Sequence, residues 1–226
     1  MGSEMCIRDS RLRGDKLRGS VGLSVAYGEE GTLQSFCGLR HFLPSGFWWI
    51  MAPEIGWNGE ESKMSQLSEI AAPVAELLRE TGQSISVAES SCGGLISAAL
   101  VAIPGASDYY VGGSVIYTRV AQRGLLLVPD IAMEGMRASS EPYAQLNART
   151  TMRSLNTDWG LAETGASGPT GNRYGDNYGH ACIAVAGPVE KVITIETGDP
   201  DREANMWVFA QRAFDLLAEC IRESRQ

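Results

Sequence analysis

The chain has 226 residues, 44% of them hydrophobic and 20% charged, with a formal net charge of −8. This length supports a sizeable hydrophobic core, and the balance is that of a folded globular protein rather than a disordered or fibrous one. The acidic excess argues against a nucleic-acid backbone as the main partner, yet leaves room for a small anion held by local arginines and backbone N–H groups.

The first sixty-three residues read differently from the rest. "MGSEMCIRDSRLRGDKLRGS" is basic and has no apolar core, so it is not a signal peptide. The run "GFWWIMAP" that follows is too short to span a bilayer. No sustained helical or alternating period occurs there. We expect residues 1–63 to be an extension rather than an independent domain, and the organised domain to cover 64–226.

From Ser65 the periods become regular. Leu67, Ile70, Ala71, Val74, Leu77 and Leu78 recur at helical spacing, with Gly82 as the stop. Pro73 either kinks that helix or begins its well-formed part. "SISVA" (84–88) predicts a strand, "GGLISAALVAI" (93–103) a helix, and "GGSVIYT" (112–118) a strand. "EPYAQLNARTTMRSLN" (141–156) predicts a helix capped by Ser140, with Pro142 in its first turn. "WGLAETG" (159–165) predicts a strand. "HACIAVAG" and "KVITIET" predict two more, joined as a hairpin through Gly187 to Glu190. The closing helix, 202–224, carries an apolar stripe of Met206, Phe209, Ala210, Ala213, Leu216, Leu217 and Cys220. Alternating helices and strands ending in a hairpin predict an α/β fold, a three-layer α/β/α sandwich with a mixed sheet.

Five cysteines, Cys6, Cys37, Cys92, Cys182 and Cys220, are odd in number, widely spaced and form no CxxC. With only His41 and His180 beside them, neither a disulfide framework nor a metal site is expected, and the setting reads as reducing and cytoplasmic.

Four stretches could carry chemistry. In "VAESSCGG" (87–94) a strand turns into a helix at two hydroxyls and a thiol. Ser90 there is either a helix cap or a nucleophile facing N–H groups that hold an oxyanion. Cys92 is either a thiol activated by the helix start or a small buried one. "ETGASGPTGNRYGDNYG" (163–179) is long for a connection and could form an anion-binding nest or a plain polar loop. Arg202 begins the last helix, where a guanidinium could pair with phosphate or carboxylate or simply be solvated. Tyr117 could orient a hydroxyl or sit half-buried, and His180 reads as a strand residue.

Five motifs taken in order, "AESSCGG" (88–94), "YTRVAQ" (117–122), "SEP" (140–142), "TGASGPTG" (164–171) and "TGDPDRE" (197–203), resemble those of the C-terminal domain of the competence/damage-inducible protein CinA. Stand-alone members of that family include nicotinamide-nucleotide amidases. The resemblance runs from about Met64 to Ser224. It implies a homodimer that uses a serine, a tyrosine and a lysine, without metal or organic cofactor. The implied reaction hydrolyses nicotinamide mononucleotide to nicotinic acid mononucleotide and ammonia.

Carried onto this chain, the resemblance makes Ser90 the nucleophile and Tyr117 the family tyrosine. N–H groups at Cys92, Gly93 and Gly94 become the oxyanion donors. Glu141, Thr164, Gly165, Ser167, Gly168, Gly171 and Arg202 join the substrate-binding set, with the 165–171 loop and Arg202 on the phosphate. The chain departs from the pattern in four places. The family lysine falls on Gln122, which cannot serve as a base. The Cys-Thr pair after the serine is Ser91-Cys92. The second arginine of the last motif falls near Met206, and one residue is inserted between Asp199 and Arg202. Replacement bases to consider are Tyr117, Glu89, Glu141 and His180. Two competing expectations follow: a nucleotide-binding module that has lost its chemistry, and a serine hydrolase for another small amide or ester. No nucleic-acid or membrane partner is expected.

Overall fold

The computed structural model describes residues 66–226 and, before them, residues 26–27 and 33–34. The latter form two short strands, β1 (Ala26–Tyr27) and β2 (Leu33–Gln34), that pair antiparallel. The expectation for residues 1–63 otherwise lies outside the described residues.

The main unit opens with α1 (Gln66–Thr81), which runs through Pro73 without interruption. Gly82 ends it in the left-handed region at φ 63°, with Gly82 N–H on the Arg79 carbonyl and Gln83 N–H on the Leu78 carbonyl. That pair of bonds satisfies the last free carbonyls of the helix. Then follow β3 (Ile85–Glu89), α2 (Leu95–Val101), β4 (Tyr110–Val115) and α3 (Arg119–Leu125). The chain continues through α4 (Glu141–Leu155), β5 (Trp159–Ala166), β6 (His180–Ala186), β7 (Lys191–Glu196) and α5 (Arg202–Glu223).

The five longer strands form one sheet in the order β4-β3-β5-β6-β7. β3 is parallel to both β4 and β5, whereas β6 and β7 continue antiparallel as a hairpin. The predicted mixed sheet is therefore present. Helices α1, α2 and α5 cover one face of the sheet. There Ile85, Val87, Trp159, Leu161, Ile183 and Val185 meet Phe209, Phe214 and Leu217 of α5. Each such side chain, fully withdrawn from water, contributes about 1.5–3 kcal/mol. Helix α4 covers the other face with much smaller side chains: six of the ten buried residues in that layer are alanine. Gly160 lets it approach, because a Cβ there would strike the Ala148 carbonyl oxygen of α4.

Three elements differ from expectation. β4 ends at Val115, so Tyr117 leaves the sheet and stands 60% exposed. α3 is an unpredicted helix, capped by the Thr118 hydroxyl accepting from Ala121 N–H at 3.2 Å. α2 begins two residues late, because Gly93 and Gly94 hold φ 65° and 106° and belong to the preceding turn. Among the described residues no helix is long and apolar enough to cross a membrane.

Candidate functional site

The sheet reverses its direction of growth at β3. The chain leaves β3 for β4 on one side and returns to β5 on the other. In open α/β sheets such a reversal opens a crevice beyond the carboxyl ends of the strands. Residues 90–94 form the turn at that end of β3.

Two fully buried carboxylates hold this turn. Glu89 accepts from the N–H groups of Gly94 (2.9 Å), Ile96 (3.1 Å) and Ser97 (3.0 Å) and from the Ser97 hydroxyl (2.6 Å). Glu163, midway along β5, accepts from Ser90 N–H (3.1 Å), Cys92 N–H (2.9 Å) and the Ser91 hydroxyl. Burial pushes the Glu163 carboxyl up from its ordinary range, and its three donors pull it back. The Gly93 N–H closes onto the Ser90 carbonyl at 3.1 Å.

These bonds correct two expectations. Neither Ser90 nor Ser91 caps α2, since Glu89 does so from the preceding strand. The N–H groups of Cys92, Gly93 and Gly94, expected to hold an oxyanion, already donate to Glu163, the Ser90 carbonyl and Glu89. Cys92 is not an activated thiol. It is fully buried, and burial first, then the nearby charges of Glu163 and Glu89, hold its thiol well above the ordinary value. Ser90 alone in the turn is left with a half-buried hydroxyl that has no hydrogen-bond partner among the described residues.

The glycine-rich loop and the start of α5 both meet this turn. The Ser167 hydroxyl donates to the Ser91 carbonyl at 3.1 Å. A Cβ at Gly93 would lie 3.5 Å from the Met206 methyl on α5. Arg202, at the start of α5, donates to the Gly168 carbonyl (2.5 Å) and to the Tyr117 hydroxyl oxygen (3.0 Å). A guanidinium has five donors, so two such bonds leave three for a ligand. Asn205, fully buried and unremarked in the sequence, donates to the carbonyls of Ser167 (2.7 Å) and Asp199 (2.6 Å). It fixes the glycine-rich loop against α5. Ser91, Ser167, Gly168, Arg202 and Tyr117 are thus linked through one chain of bonds and neighbours, with Ser90 next to it in the turn.

Other expected residues fall elsewhere. Thr164 is buried within β5, and Gly165 lies in the same strand against His180 and Ala181. Gly171 packs its backbone against the Asp176 carbonyl. The rest of that loop folds on itself, with Asn172 Oδ1 accepting from Tyr174 and Asp176 N–H and with Arg137 forked onto the Asp176 carboxylate. Glu141 accepts from Thr194 of β7, three strands from β3.

Gln122, in α3, is fully buried. Its Oε1 accepts from Arg119, and its Nε2 donates to Asn147 Oδ1 of α4 at 2.6 Å. Of the replacement bases, Glu89 is committed to four donors. His180 is committed to Glu196 (2.5 Å) and to the Ser139 carbonyl (3.0 Å). Tyr117 is the one whose hydroxyl meets Arg202.

A lone carboxylate in the apolar strand "WGLAETGA" was the signal for Glu163 that sequence reasoning passed over. No comparable signal marks Asn205, a polar residue in a helix whose burial depends on the fold around it.

A family model for the CinA C-terminal domain matches residues 67–221. The chain is 41% identical over 150 residues to a CinA-like protein of Gloeobacter violaceus, covering 66% of this chain and 35% of that protein. It is 35% identical over 160 residues to a CinA-like protein of a Synechococcus species, covering 71% and 38%. The chain thus spans roughly a third of the length of these curated relatives. Among solved structures, a competence-damaged protein (CinA) superfamily protein of Klebsiella pneumoniae superposes with a TM-score of 0.65 at 25% identity, over 70% of this chain and 98% of that one. A competence/damage-inducible protein of Agrobacterium tumefaciens gives 0.62 at 26% identity, over 71% and 96%.

Proposed function

The chain belongs to the CinA C-terminal domain family, and from that premise we propose that it hydrolyses the carboxamide of nicotinamide mononucleotide through Ser90. The observation that carries this reading is the free Ser90 hydroxyl at the carboxyl end of β3, next to Ser91, whose carbonyl accepts from Ser167 of the loop that Arg202 and Tyr117 join. In this mechanism the Ser90 oxygen attacks the carboxamide carbon. Tyr117 accepts from Arg202 and keeps its own proton to donate. It passes that proton to the departing nitrogen and takes up the proton of Ser90, so ammonia leaves and charge balances. Water then clears the acyl-enzyme, giving nicotinic acid mononucleotide. The free donors of Arg202 bind the 5′-phosphate.

A second reading is favoured by a different observation. Gln122 is buried and hydrogen-bonded away from the turn, and the N–H groups of Cys92, Gly93 and Gly94 already have acceptors. A site lacking the family lysine and those three oxyanion donors describes a nucleotide-binding module without chemistry. Ammonia release from nicotinamide mononucleotide, with Ser90→Ala beside it, separates the two. The amidase reading expects release by the wild type and its loss in Ser90→Ala, with unfolding temperature unchanged because that hydroxyl bonds nothing in the fold. Thermal stabilisation by the nucleotide without ammonia would leave the binding module.

A further inference from the structure

β5 is built of apolar and small residues except for one carboxylate, Glu163, at its centre. A buried carboxylate is tolerated where donors converge on it. Here all three donors come from a single turn: the N–H of Ser90, the hydroxyl of Ser91 and the N–H of Cys92. They bracket the Ser90 side chain on both sides along the backbone. Glu89 grips the far end of the turn at Gly94, Ile96 and Ser97. Between the two carboxylates every polar side chain of residues 89–92 is engaged except the Ser90 hydroxyl. The turn has therefore one fixed backbone path and one side chain released from it.

We infer that Glu163 is the positioning residue of Ser90: by fixing residues 90–92 from beneath, it holds the Ser90 hydroxyl in one presentation at the carboxyl end of β3. The inference rests on the reading of Ser90 as nucleophile. Glu163 is fully buried beneath the turn and acts only through the backbone of Ser90 and its neighbours. Its removal therefore alters presentation of the hydroxyl while leaving the phosphate contacts at Arg202 intact. That predicts a defect in the chemical step with little change in substrate binding.

The test is Glu163→Gln, which keeps the side-chain size but turns one acceptor oxygen into a donor facing other donors. Hydrogen exchange read by NMR should show the Ser90 and Cys92 amides exchanging at least about 10-fold faster, with the β5–β6 ladder unchanged. Ammonia release from nicotinamide mononucleotide should lose about 100-fold in kcat, the scale of a misplaced reacting group, while KM moves less than about threefold. Ser91→Ala removes one donor without adding volume, and it should shift kcat in the same direction by a smaller factor. It carries the test should Glu163→Gln fail to fold. Unchanged exchange at 90 and 92, or kcat, KM and unfolding temperature falling together, would overturn the inference. A wild type that releases no ammonia refutes the amidase reading by itself, and the exchange rates still decide whether Glu163 holds the turn.

Discussion

Glu89 offers the sharpest test of the turn's construction. Replacing it by alanine removes the acceptor for three backbone N–H groups and one hydroxyl at the start of α2. Ile96 is fully buried, so water cannot replace the lost bond there, whereas Gly94 and Ser97 are half-buried and partly recover theirs. An unsatisfied buried donor costs about 1–3 kcal/mol. With one full and two partial losses, Glu89→Ala should destabilise by about 3–5 kcal/mol, a large share of the ~5–15 kcal/mol typical of a domain. Glu89→Gln retains one acceptor oxygen and should lose about 2 kcal/mol. Urea unfolding followed by far-UV circular dichroism measures both, with the m-value as a check that the unfolded state is unchanged. A loss below about 1 kcal/mol for the alanine variant at constant m would refute the view that this carboxylate caps α2.

Three further outcomes follow from the geometry. Gln122→Lys should not raise ammonia release, and it should destabilise by about 3–5 kcal/mol, because the new ammonium is buried beside Arg119 with only Asn147 Oδ1 to accept from it; higher activity at unchanged stability would place residue 122 in the crevice. Arg137 holds the Asp176 carboxyl below its ordinary value of 3.8. The ion pair therefore contributes above that pH and is lost as the pH falls through the lowered folded value. The wild type should exceed Asp176→Asn by about 1 kcal/mol at neutral pH, a modest figure because Arg137 is 42% exposed, and the gap should close on acidification below pH 4; a gap that persists at pH 2 counts against the ion pair. Gly165→Ala should lower stability by about 3 kcal/mol, because its Cβ would meet the His180 carbonyl oxygen and lie 2.9 Å from Ala181 Cα; wild-type stability by thermal unfolding would show that the β5–β6 pair can spread.

Much of this fold was readable because its periods are local. The stripe of α5 and the runs in β5, β6 and β7 announce their partners through spacing alone. Arg119–Leu125 was missed because seven residues with an internal glycine carry too little periodicity, and its cap, Thr118, sat inside a run that read as strand. Tyr117 and Arg202 were recognised, but their meeting is a tertiary event across 85 positions. Ser90 also stood as one candidate for the cap of α2. A carboxylate on the preceding strand took that role instead, because Glu89 reaches three N–H groups where a serine reaches one. Gln122 was matched to a family position by motif order, and motif order does not report burial.

The two faces of the sheet will respond oppositely to random substitution. On the α1–α2–α5 side, bulky residues such as Trp159, Phe209 and Phe214 interlock, so truncation is what harms. On the α4 side, alanines and Gly160 bring helix and strands nearly into backbone contact, so any enlargement is what harms. A drifting lineage of this domain should therefore accumulate size changes on the first face in compensating pairs and almost none on the second, leaving α4 as the fixed reference against which the crevice keeps its shape.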